Sequence, residues 1–153
     1  DPYYPAFWSG KHPVDVICRY FEEILHSLKN MCEYDTLAHL DYIVRYAGSD
    51  YMSYHYQDFR DVIDPILTYL IHNGKCLEIN TAGYKYGLGH PNPCEEVLSR
   101  YRELGGELIT IGSDAHKPEH LAYDFQRLPE LLTNLGFRYY CTFSNRKPEF
   151  IKL

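Results

Sequence analysis

The sequence predicts an α/β fold in which parallel strands alternate with helices. Three observations predict it. Helix-period and strand-like stretches take turns along the 153 residues, the pattern of successive β-α units. Each polar cluster of chemical interest falls just past a strand, the place where parallel α/β folds gather their sites. The 45% hydrophobic content supplies a core for one ordinary domain, so residues 1–153 are expected to form a single unit.

The first predicted helix runs from Val14 to Tyr34. Val16, Ile17, Tyr20, Phe21, Ile24, Leu25 and Leu28 recur at spacings of three and four, and Pro13 sits at a tolerated first position. Thr36 to Asp41, TLAHLD, reads as a short buried strand entering a loop. Tyr46 to Tyr56 reads as a polar, Tyr-rich connection. A second helix is predicted over Asp58 to His72, with Asn73-Gly74 as its stop.

Cys76 to Asn80, CLEIN, reads as the second strand, followed by the Gly-rich loop NTAGYKYGLGHPNP. A third helix spans Pro93 to Leu104 and closes on Gly105-Gly106. Leu108 to Ile111 is the third strand. Glu119 to Leu135 is predicted to be a fourth helix, broken before Pro129. Tyr139 to Phe143 is the last strand, and SNRKPEFIKL reads as a tail.

A net charge of -6 and a pI near 5.7 exclude a nucleic-acid or anionic-membrane surface as the main partner, because both demand a basic footprint. No apolar run is long enough to span a bilayer, and no signal peptide is visible. Cys18, Cys32, Cys76, Cys94 and Cys141 are odd in number, scattered and free of any C-x-x-C pair. They read as reduced thiols of a cytoplasmic protein, mostly buried.

The stretch ITIGSDAHKPEH carries the strongest chemical signal. Asp114 and His116 stand two apart, and side chains at i and i+2 of an extended segment share a face. His39 follows the first strand, beside Asp41, and Glu78 and Asn80 end the second. Each has a plain structural use. His39 suits a hydrogen-bonded structural histidine, Asp114 a helix cap, and Glu78 a buried carboxylate paired with an amide or an arginine. Together they suit a metal site, and His, Asp and Glu without Cys fit Zn, Mn or Fe in a hydrolytic role. The Gly-rich loop can bring backbone amides and Lys85 to an anion, and it can equally serve turns.

The phrases AHLD, LEINTAG and GSDAHKPEHLAYDF, in that order, resemble the C-terminal part of the PHP phosphoesterase family, nearest to its histidinol-phosphatase type. The resemblance implies the C-terminal part of a distorted PHP-type (β/α)7 barrel, with up to three divalent metals at the strand ends. It implies hydrolysis of L-histidinol phosphate to L-histidinol and phosphate, a step of histidine biosynthesis.

By the same resemblance His39, Asp114 and His116 are metal ligands, with Asp114 and His116 at the catalytic centre. Ala38 replaces the usual Gly before His39. Glu78 matches no direct ligand and is assigned, with Asn80, to substrate contact or to a place behind the ligands. Lys85 stands where a basic residue meets the substrate phosphate, and Arg45 is a weaker candidate for that duty. The Tyr51 to Tyr56 loop is a candidate wall for the substrate's imidazole.

The family's opening H-x-H, its ligating Glu and a further ligand His have no counterpart here. The chain is therefore expected to be the back half of an enzyme, inactive alone. Its exposed half-barrel edge is expected to favour homo-oligomers. The alternatives are a non-catalytic α/β fragment and a PHP phosphoesterase of other specificity.

Overall fold

The computed structural model describes residues 1–31, 33–51 and 54–153. A single turn of helix, α1 (Pro5–Trp8), opens the chain ahead of the first predicted helix. Helix α2 (Pro13–Asn30) ends short of the predicted Tyr34: Met31 is already extended. Its buried stripe is Ile17, Phe21 and Leu28, at helical spacings of four and seven. The predicted Cys32 burial falls outside the described residues.

Strand β1 (Thr36–Leu37) is brief. The segment read as a featureless connection instead winds into 3-10 turns at Tyr42–Tyr46, Ser49–Tyr51 and Tyr56–Phe59. Helix α3 (Arg60–His72) follows, and Gly74 in the left-handed region (φ 60) closes it. Strand β2 (Cys76–Asn80) leads into α4 (Ala82–Lys85), so the Gly-rich loop begins with a helical turn. Helix α5 (Glu95–Glu103) and strand β3 (Ile109–Gly112) complete the second unit.

The long fourth helix does not form. Ala122 and Asp124 both take left-handed φ values, 51 and 54, which no helix interior accepts. Only α6 (Leu128–Asn134) remains, starting next to Pro129. Strand β4 (Tyr139–Ser144) pairs antiparallel with β5 (Lys147–Lys152), so the predicted tail is half of a hairpin. β4 packs beside β3 but belongs to a separate two-stranded ladder.

The main sheet has the order β1-β2-β3 and is wholly parallel. Leu77 and Ile79 of β2 are fully buried, in one core with Phe21, Ile66, Leu70 and Leu98 from α2, α3 and α5. Burying such side chains contributes about 1.5–3 kcal/mol each. By strand alternation Cys76, Glu78 and Asn80 face the other way. On that face the Thr36 hydroxyl reaches the Thr110 hydroxyl at 2.8 Å, across the intervening β2. Strands once removed are roughly 10 Å apart in a flat sheet, so the sheet curls toward this face. Among the described residues, no helix is long and apolar enough to cross a membrane.

Candidate active site

Parallel pairing puts the C-terminal tips of three strands together, with Asn80 opposite Gly112 in register. His39 lies two residues past β1, Asp114 and His116 just past β3, and Lys85 at the end of α4. The predicted residues therefore share one end of the sheet.

His39 sits at φ 32, a conformation disfavoured for a residue with a Cβ. Its backbone N–H donates to Glu78 Oε2 at 3.0 Å, and its ring leans on Tyr42, centroid to centroid 5.3 Å. Its Nδ1 is buried and has no hydrogen-bond partner. A buried ring nitrogen without a partner is costly, and a metal ion is one group that would relieve it.

Asp114 also has a positive φ, 45. The extended alternation used to place it beside His116 does not hold past Gly112. A turn brings the pair together instead, with His116 Nε2 3.3 Å from Asp114 Oδ1 and the imidazole largely exposed. Lys85 Nζ donates to the Asp114 carbonyl at 3.2 Å and lies within 3.5 Å of the Ser113 carbonyl. It leaves Tyr86 on its flank, 4.9 Å from the ring centroid.

Arg45 is better placed than its sequence signal suggested. Its guanidinium carbon stands 4.8, 5.0 and 4.3 Å from the ring centroids of Tyr42, Tyr46 and Tyr86. Its Nε is buried without a partner, and among the described residues no carboxylate pairs with it or with Lys85. Tyr86 thus meets two cations that lack anionic partners among the described residues.

Asp41 went unassigned in the sequence, and it is the most engaged carboxylate of the region. It is fully buried and accepts from Asn92 Nδ2 at 2.6 Å, Cys94 N–H at 2.9 Å and Tyr54 O–H at 2.9 Å. Burial pushes its pKa up, opposed by those hydrogen bonds. Asp41 ties the His39 loop to the loop after α4. Its position two residues from His39 was the only signal in the sequence.

Some expectations fail. The Tyr51 to Tyr56 segment is no open wall: Tyr54 and Tyr56 are buried and spend their hydroxyls on Asp41 and Asp64. Met52 and Ser53 lie outside the described residues. A cleft of about 700 Å³ lies elsewhere, lined by Phe7, Lys11, Arg19, Tyr20 and Tyr42, and it reaches the site only through Tyr42. Among the described residues, no three His, Cys, Asp or Glu side chains converge to hold a metal. Cys76 and Cys94 are buried thiols pushed up to about 12 by desolvation, unsuited to act as nucleophiles.

No family model matches the chain. A Thermotoga maritima protein named probable histidinol-phosphatase is 40% identical over 129 residues, 83% of this chain. One of the same name from Clostridium acetobutylicum is 30% identical over 141 residues, 90% of this chain. This chain is similar to the histidinol-phosphatases. The likeness is to their C-terminal portion. The chain spans about half the length of the curated relatives it matches, 52% and 54% of these two.

The structural likeness is to a crystal structure of the Lactococcus lactis histidinol phosphate phosphatase, complexed with zinc, L-histidinol and phosphate. The TM-score is 0.79 at 28% identity, over 94% of this chain and 54% of that one. The Lactococcus protein thus shares this α/β arrangement of parallel strands and helices.

Proposed function

We propose that this chain carries the C-terminal part of a metal-dependent phosphomonoesterase that converts L-histidinol phosphate to L-histidinol and phosphate. The observation that carries the reading is the strand-tip arrangement. Among the described residues, it pairs a histidine whose buried Nδ1 lacks a partner with two cations, Arg45 and Lys85, that lack carboxylates. The names of the relatives and the zinc, L-histidinol and phosphate of the Lactococcus structure support it.

His39, Asp114 and His116 would hold divalent metal, whether zinc, manganese or iron, in a centre of up to three ions. When bound, such metal polarises phosphoryl oxygen and lowers the pKa of water. The chain's own residues do the rest. Asp114 steadies the His116 ring through their 3.3 Å contact. Lys85 and Arg45 meet the phosphate, the first as a point charge and the second as a stacked, pre-aimed donor fork.

Three candidate ligands that do not converge fall short of a catalytic zinc site, which needs three protein ligands and an open position. The isolated chain is therefore read as a non-catalytic α/β fragment, and the activity belongs to the whole enzyme. The concave face marked by Thr36 and Thr110 supports a segment of a (β/α)7 barrel formed by residues 1–153 as one domain. The β1 edge, unpaired among the described residues, is a site for homo-oligomer contacts. Free, buried cysteines support a cytoplasmic setting.

The test is phosphate release from L-histidinol phosphate by the whole enzyme and by this chain, with metal content measured on both. The reading expects chelator-sensitive release by the former and negligible release by the latter. A whole enzyme that releases no phosphate after loading with zinc, manganese or iron overturns it.

A further inference from the structure

One oxygen of the Glu78 carboxylate is doubly engaged. Its Oε2 accepts from the His39 backbone N–H at 3.0 Å and from Asn80 Nδ2 at 2.9 Å. Asn80 is 1% exposed and its orientation is set, because its Oδ1 accepts the Ala82 N–H at 2.9 Å. The other oxygen, Oε1, lies over Gly112: a Cβ built there would stand 2.1 Å from it. One side chain on β2 thus touches the tips of both neighbouring strands.

His39 needs such a hold. Its φ of 32 is disfavoured, and it lies beyond the last ladder residue of β1, Leu37. Among the described residues, no other hydrogen bond reaches its backbone N–H, and its carbonyl accepts the Tyr42 N–H of the following turn. Its orientation depends on that amide anchor together with the ring contact to Tyr42.

We propose that Glu78 is a positioning residue: it fixes the His39 loop so that the imidazole faces the site, and Gly112 is glycine because the carboxylate occupies the space of a side chain. This rests on the metal-site reading of His39 given above. Of the two roles the resemblance leaves to Glu78, substrate contact or a place behind the ligands, it selects the second and names the ligand supported. Loss of such supporting groups typically weakens metal binding about 10- to 100-fold.

Gly112→Ala separates positioning from folding, because the new methyl meets the mobile end of Glu78 rather than backbone. Amide hydrogen exchange at His39, a cobalt(II) titration followed by visible absorption, and urea unfolding are measured on the whole enzyme as wild type, Gly112→Ala, Glu78→Ala and the double variant. The expected result is faster exchange at His39 by about tenfold or more, cobalt affinity lowered by about 10- to 100-fold, and a nearly unchanged unfolding midpoint for Gly112→Ala. In the Glu78→Ala background, Gly112→Ala should add nothing.

Wild-type exchange at His39 in both single variants overturns the positioning role. If wild type binds no cobalt, the metal-site reading fails while the exchange measurement still decides the anchor. If cobalt affinity is unchanged in variants whose His39 exchange has risen, the role in presenting a ligand is overturned.

Discussion

Thr36 and Thr110 share a 2.8 Å hydroxyl hydrogen bond although β2 separates their strands. The bond exists only because the sheet is concave on that face. Thr36→Val takes this partner from the Thr110 hydroxyl, whereas after Thr110→Val the Thr36 hydroxyl keeps the Cys76 carbonyl at 3.4 Å; the double variant removes the pair. Thr36→Val and Thr110→Val should each cost about 1 kcal/mol, and the double variant less than their sum. Urea unfolding of the four proteins checks this, and full additivity would break the link.

Arg45 and Lys85 flank Tyr86 without carboxylate partners among the described residues. In the whole enzyme, Arg45→Ala and Lys85→Ala should each raise KM for L-histidinol phosphate roughly ten- to hundredfold, with a smaller change in kcat. Arg45→Lys should not restore it, because a lysine cannot stack among three tyrosines while presenting a planar fork. Steady-state kinetics decides; a loss confined to kcat would place these residues elsewhere in the reaction.

His55 and Glu96 form an exposed tie, Nδ1 to Oε1 at 3.1 Å. The hydrogen bond to Glu96 raises the His55 pKa above 6.5, and the same bond lowers that of Glu96 below 4.5. The His55 contribution is complete below its unfolded pKa and is lost as pH rises through the folded one. The Glu96 contribution is present above its unfolded pKa and is lost as pH falls through its folded one. The tie is therefore strongest between about pH 4.5 and 6.5. A proton NMR titration of His55 should show a raised midpoint that returns to the ordinary value in Glu96→Gln.

Ala122 holds a left-handed φ of 51. That conformation costs a residue with a Cβ roughly 1–2 kcal/mol, and glycine escapes most of it while gaining unfolded-state entropy. Ala122→Gly should therefore raise stability by up to about 1 kcal/mol, against the usual direction of such a change. Ala122→Val should lower it. Denaturation midpoints measure both, and a clear loss for Ala122→Gly would show that the strain is relieved in solution.

Periodicity is a local property, and what it reported was local. The stripe of Ile17, Phe21 and Leu28 and the alternation in CLEIN were legible, and with them the parallel β-α order and the common end for His39, Glu78, Asn80 and Asp114. The hairpin after Tyr139 was hidden because its turn, Asn145-Arg146, takes two left-handed φ values, 50 and 63, without the glycine that usually marks such a turn. The helix predicted from Glu119 failed for a related reason, since nothing in HLAYDF marks Ala122 and Asp124 as left-handed.

The sequence by itself determined which residue types stand at the strand tips, because backbone pattern and spacing are written residue by residue. Only the tertiary structure decided their partners. Asp41 meets Asn92 across 51 positions and His39 meets Glu78 across 39. Arg45 finds its third ring in Tyr86, from the loop after β2. Such pairings depend on how strands stack and loops close, and no period along the chain encodes them.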